Sequence, residues 1–427
     1  MKLGVVFIGL LITFVSAQRK PKVPKLTDSW EIDASCDEGG KRQRLETAFS
    51  DVVELIRKAR ADLAIIQQPQ PPPRKTEVSR ENTLKWNRIA KRIVGVFGIG
   101  PTEEIKKKGY DPTEENFKRV VDTFDRMHQG LIEGKIIPEK GFSGTLDFLH
   151  KKPLIMCGDT KWKLYKKDDQ DPNIKGKTVL EAFPEIEDYT WGGAFIHGKR
   201  YLKAGRDKDT KEIWTSPRIC RTGTYGNTYQ PQDLITFCDF GFSFSNEKSP
   251  VRDADQIVEN TDIDIGNYGM NTLTRVMIHE FAHYYGSRLE ENKLVRVKDL
   301  QAVDANGCLL WQIKVGGKDK FTRDKNDGGI KRVEQVVYGF KFATNIAKDL
   351  SGEPHVGQWR KSRGPDVWVD GERGDTGPSA ATQTAETYAY FGIISYLDKW
   401  DWFDKAGKAQ DPAEVEARER ERQQDGN

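Results

Sequence analysis

Six histidines are scattered along 427 residues. Two of them, His279 and His283, stand four apart with Glu280 directly after the first. Four residues make about one helical turn, so on a helix both imidazoles rise from one face and can share an ion. Glu280 lies about 100° further round, where it reaches a water beside that ion without ligating it. Two neutral nitrogens, a third ligand, an open position and a nearby carboxylate are the parts of metal-assisted amide hydrolysis. With this donor set the ion expected is zinc, which acidifies a water while Glu280 takes its proton. The competing reading is a pair of hydrogen-bonded core histidines. The flanks favour the metal: Val276, Met277, Ile278, Phe281, Ala282, Tyr284 and Tyr285 are uncharged, as suits a helix buried beneath a cleft. His128, His150, His197 and His355 have no partner at ligand spacing.

Other elements must hold that helix. Apolar residues at three- and four-residue steps predict a helix from Arg44 to Ile66, broken by the proline-rich stretch ending at Pro73. Further helices are expected at about Thr83 to Val96 and Thr113 to Leu131. From about Leu146 the pattern changes to short β-like runs: Leu154–Cys157, Trp162–Tyr165, Ala194–His197 and Leu234–Cys238. The run ending in His197 could form an edge strand beside the cleft. Helical periodicity returns at Leu273–Tyr285, at about Val333–Leu350 and from Ala385 to about Trp400, with a surface loop from Gly352 to Ser379. Helices, then a small sheet, then helices give an α+β fold class in a single domain over 18–407, its helical N-terminal part reaching about 146. The charged tail, 408–427, is expected to be a solvated helix or disordered.

His279-Glu280-Phe281-Ala282-His283 resembles the catalytic helix of the zincin metallopeptidases. More particularly, the chain resembles the fungal secreted deuterolysin and lysine-specific endopeptidase group, the aspzincins. Cys36 followed by a long Ala- and Leu-containing helix is similar to their N-terminal region. Tyr338-Gly339 with the segment to Ile346-Ala347 is similar to their Tyr-Gly helix, and Thr384-Ala385-Glu386-Thr387-Tyr388-Ala389-Tyr390-Phe391 to their late Asn-Ala-Asp-x-Tyr-Ala-x-Phe helix. The resemblance runs from about Cys36 to Trp400, and its specific part is His-Glu-x-x-His. It implies a zincin-like fold with the metal helix beneath an edge strand, Glu280 as general base, and Tyr338 as a donor to the oxyanion. A core aromatic is the other role open to Tyr338. One departure matters: where the family places its ligand aspartate, three residues before the tyrosine, this chain has Gln335. The third ligand is then Asp299, Asp304 or Glu334, with Glu386 a further candidate. Asp299 is preferred, because it follows the helix after one loop and precedes an insertion around Cys308–Val315.

The start sets the compartment. Met1-Lys2, the apolar run Leu3–Val15 and the small residues Ser16-Ala17 have the layout of a signal peptide, 1–17, and that run is too short to span a membrane. A secreted, extracellular protein is expected. Its five cysteines then suggest two disulfides and one leftover thiol, with Cys220–Cys238 the favoured pair. Balanced charge, 68 basic against 65 acidic residues, gives no basis for nucleic acid or membrane as partner. The expected partner is a protein or peptide substrate, met by a monomer. The rival reading is a secreted protein that holds zinc or a partner without cutting peptides.

Overall fold

Leu45, Phe49, Val52, Ile56, Leu63 and Ile66 lie along one stripe of the helix Lys41–Ile66 and are all buried. The structure, a computed structural model, describes residues 23–72, 77–135, 152–244, 248–259, 263–266, 272–290, 293–315, 318–323, 333–350, 358–360, 367–369, 371–404 and 407–425. The expected signal peptide and its cleavage site lie outside these residues, as do His150 and His355. Two further amphipathic helices, Glu77–Phe97 and Glu115–Met127, join the first. Glu114 caps the latter, its carboxylate accepting from Phe117 N at 2.9 Å. These three pack around two helices of a different kind. Leu273–Gly286 is buried at every residue but Tyr284, and Ala385–Tyr396 at every residue but Tyr396. Helices buried all round belong at a centre, and the amphipathic ones cover them. Phe97 meets Tyr388 and Phe391 at ring distances of 5.2 and 5.4 Å, and Trp30 meets Phe281 at 5.5 Å.

One four-stranded sheet flanks this bundle. Glu31–Ile32, Leu154–Cys157 and Leu234–Phe237 run parallel in that order, and Gly226–Tyr229 pairs antiparallel at the edge. Alternation along the strands sorts the two faces. Ile155, Cys157, Ile235 and Phe237 join the helical core, whereas Leu154, Met156 and Leu234 join a smaller core beneath a second sheet. That sheet is Lys163–Lys166, Trp191–His197 and Arg200–Gly205. Cys36–Cys157 and Cys220–Cys238 form disulfides, the second being the favoured pair, and Cys308 is buried outside both. The architecture is mixed α+β. No described helix is long and apolar enough to cross a membrane.

Two expectations change. The stretch from Val333 is not helical throughout. Val333–Glu334 is a strand on Trp311–Val315, and the helix is only Phe340–Ala347. Val-Glu-Gln-Val-Val suits a strand as well as a helix, and Gly339, at φ 100, adopts a backbone that other residues rarely take. The strand carrying His197 is the middle of its sheet rather than an edge, and His197 pairs with Asp33 at 2.8 Å. Of the two forms expected for the tail, Pro412–Asp425 takes the helix. Val415 is buried, and Arg418 and Glu416 pair with Asp404 and Arg88 at 2.9 and 3.6 Å. Ala409 is buried as well, and the tail's high charge hides these apolar anchors.

Candidate metal centre

The buried helix Leu273–Gly286 starts at Thr272, whose hydroxyl accepts from Arg275 N at 3.0 Å. Beyond it, the hairpin of Arg288–Glu290 and Lys293–Val295 turns the chain back along the helix. The returning strand is fastened twice. Lys298 N donates to Gln383 O at 2.7 Å and Ala385 N to Lys298 O at 3.1 Å, which seats it beside the Ala385–Tyr396 helix. Val337 N donates to Leu300 O at 2.9 Å, and Gln301 pairs with Val336, which brings Tyr338 alongside. Asp299 lies between these fastenings.

Its Oδ1 stands 3.0 Å from His279 Nε2 and 3.3 Å from His283 Nε2, and the two nitrogens are 3.1 Å apart. Among the described residues these three side chains form a group whose ligand atoms all lie within 4.8 Å of one another, and such a group can hold a metal ion. The other acids lie elsewhere. Asp304 pairs with Arg323, Glu334 is exposed on its strand, and buried Gln335 donates to Val336 O at 2.8 Å. Glu386 touches the opposite side of the His279 ring, its Oε2 2.9 Å from Nδ1.

Those outer contacts fix the tautomers. His283 Nδ1 faces Val297 O at 2.8 Å, and a carbonyl only accepts, so Nδ1 carries the hydrogen. His279 Nδ1 faces Glu386, a fully buried carboxylate that also takes Arg275 Nη1 at 2.8 and 3.0 Å and Gly339 N at 2.6 Å. Burial pushes the Glu386 pKa up, but Arg275 and His279 outweigh it and hold the group ionised. Both Nε2 atoms thus present lone pairs towards each other and towards Asp299. Acceptors meeting in a buried place without a donor among them require a cation.

In the protein stripped of metal that cation is a proton. Burial pulls the His279 pKa down, but Asp299 and then Glu386 overcome it and push it up to about 10. Asp299 is held well below its ordinary value, the two imidazoles outweighing burial. A pKa raised from 6.5 to about 10 stabilises the fold fully below about 6.5, and that stabilisation is lost as pH rises through 10. Melting curves of chelator-treated protein should therefore drop across this window, whereas added metal, which supplies the charge itself, should offset the drop. Titration calorimetry at pH 8 in buffers of different ionisation heats should read about one proton released per ion bound.

Glu280 sits apart from the cluster and meets the edge strand through one carboxylate oxygen. Gly226 and Thr228, two residues apart, share the strand face above it. The Thr228 hydroxyl donates to Glu280 Oε2 at 2.6 Å, and a Cβ at Gly226 would lie 2.8 Å from Oε1. Burial raises the Glu280 pKa. His279, Glu280, Gly226 and Tyr338 border a cavity of about 10 Å³, close to what a single water needs. Half-buried Tyr338 donates to Asp299 Oδ2 at 3.2 Å.

Sequence reasoning overlooked Arg275, Thr228 and Gln230. Arg275 left a signal, being the one charge a turn before His279 on a helix otherwise uncharged outside the His-Glu-x-x-His turn. Thr228 and Gln230, the latter donating to His283 O at 2.9 Å, lie in a polar segment without periodicity. No protein-family model, curated protein or solved structure matches the chain.

Proposed function

We propose that the chain is a secreted zinc-dependent endopeptidase of the zincin type, akin to the deuterolysin group but with its ligand aspartate displaced to Asp299. The observation that carries this reading is the division of labour on one helix turn. His279 and His283 converge with Asp299, while Glu280, between them in sequence, is held off the cluster by Thr228. Two imidazole nitrogens and one carboxylate oxygen are a zinc donor set, and three protein ligands leave a position open, as catalytic sites do. Zinc bound there would supply Lewis acidity and lower the pKa of a water. Glu280 takes the proton in the water-sized cavity beside it. Tyr338, across the same cavity, donates to the oxygen that gains charge.

The edge strand Gly226–Tyr229 is paired only on its Leu234–Phe237 side among the described residues. Its outer backbone groups suit an extended peptide, which adds as a further strand. Two disulfides fit an oxidising, extracellular setting.

The test is zinc analysis of purified protein together with hydrolysis of an unfolded protein, with and without chelator. One bound zinc and chelator-sensitive cleavage support the reading; zinc without cleavage leaves a binding protein instead. Gly226→Ala probes the base from above. Its Cβ must displace the Glu280 carboxylate, and misplacing a reacting group by ~1 Å can cost ~10²-fold. Cleavage should fall towards that extent while the zinc content stays unchanged.

A further inference from the structure

Immediately before the edge strand, Tyr225 borders the metal-site cavity on one side and an aromatic stack on the other. Its ring meets Phe240 at 4.7 Å and lies nearly parallel to Phe244 at 5.6 Å, with the Arg275 guanidinium 5.6 Å from its centre. Phe240 is 44% exposed, so one side of its ring is open to a partner while Tyr225 supports the other. The turn Asp239–Phe242 that carries it is anchored at each end. Cys238 is bonded to Cys220, and Lys41 reaches Asp239 at 2.6 Å, while Arg44 donates to Phe242 O. An apolar face held this firmly is pre-organised for contact and loses little freedom on binding.

We infer that Tyr225 and Phe240 form a recognition shelf for an aromatic or large apolar side chain of the peptide substrate, and that this shelf sets the cleavage preference. The inference rests on the peptidase reading. A peptide extended along Gly226–Tyr229, with its scissile bond at Glu280, runs off the end of the strand at Tyr225. A side chain within a residue or two of the scissile bond therefore reaches the shelf, since each extended residue advances about 3.3 Å. Ring-on-ring contact then favours aromatic residues there.

Two quenched peptides serve as probes, one with Phe and one with Ala at the position that cleavage mapping on an unfolded protein identifies as selective. The zinc-loaded wild type is expected to cleave the Phe peptide about tenfold better in kcat/KM. Phe240→Ala, a change on the surface, should erase that preference through KM and leave the Ala peptide and zinc content untouched. Loss on both peptides alike, or on neither, overturns the shelf. If the wild type cleaves no unfolded protein, the peptidase reading fails on its own, and fluorescence anisotropy of labelled extended peptides with a central Phe or Ala on zinc-loaded protein decides the shelf. Tighter Phe-peptide binding that Phe240→Ala removes supports it; equal binding by both proteins overturns it.

Discussion

Glu280→Gln is expected to yield a folded protein that keeps one zinc and loses at least ~10²-fold of its peptide hydrolysis, the lower end of what general-base catalysis supplies. The variant isolates one property. A glutamine amide has the size of the carboxylate and keeps an oxygen for the Thr228 hydroxyl that Glu280 accepts at 2.6 Å, but it cannot take a proton. The ion loses no ligand, because the converging atoms belong to His279, His283 and Asp299. Burial raises the Glu280 pKa, which brings the base nearer to neutral pH, where proton abstraction is most effective. The wild-type rate should accordingly fall on acidification as Glu280 takes up its proton, and the residual rate of Glu280→Gln should lack that limb. Zinc content, a melting curve and initial rates against pH on one unfolded substrate check all three parts. Equal rates from the two proteins would remove Glu280 as the base.

How much of this was legible in the sequence follows from how local each feature is. The His279–Glu280–His283 turn is set by helical spacing, and the three outer helices by the apolar stripes through residues such as Leu45, Trp86 and Phe117, so both were readable. Asp299 was reached by a weaker route, its place between the helix and an insertion. The contacts that seat it, Lys298 on Gln383 and Leu300 on Val337, are backbone bonds between distant segments, and backbone bonds leave no mark in residue type. Glu386 was noticed as a carboxylate, but its work of orienting His279 depends on Arg275 and Gly339 N arriving from two other elements. The edge strand was invisible for a related reason. Gly226-Asn227-Thr228-Tyr229 has no apolar alternation, since its inward face holds the Glu280 side chain rather than a core. Val333–Glu334 misled because short apolar runs satisfy both periods, and only the pairing with Trp311–Val315 decides between them.

Asp299→Ala and Glu386→Gln should both weaken zinc binding, but to different extents. Asp299 Oδ1 is one of three converging ligand atoms, and two remaining ligands seldom hold zinc against water, so affinity should fall well beyond the ~10–100-fold typical of an outer-shell loss. Its carboxylate is also the main group that raises the His279 pKa, so without metal the alanine should melt at a lower temperature near neutral pH. Glu386 touches no lone pair in the cluster. Glutamine there still offers an oxygen to His279 Nδ1, so the loss of affinity should stay within that ~10–100-fold range. Its cost is to the fold: Arg275, 2% exposed, would keep its charge without a counter-ion, a defect that typically costs ~3–5 kcal/mol. Asp304→Ala and Glu334→Ala serve as controls, because Asp304 is committed to Arg323 and Glu334 faces solvent. Competition of each variant for zinc against a chromogenic chelator, with denaturant melts of the same samples, reads both axes. If Glu334→Ala strips the ion and Asp299→Ala does not, the strand returning from the hairpin does not carry the third ligand, and Tyr338 must be placed anew with it.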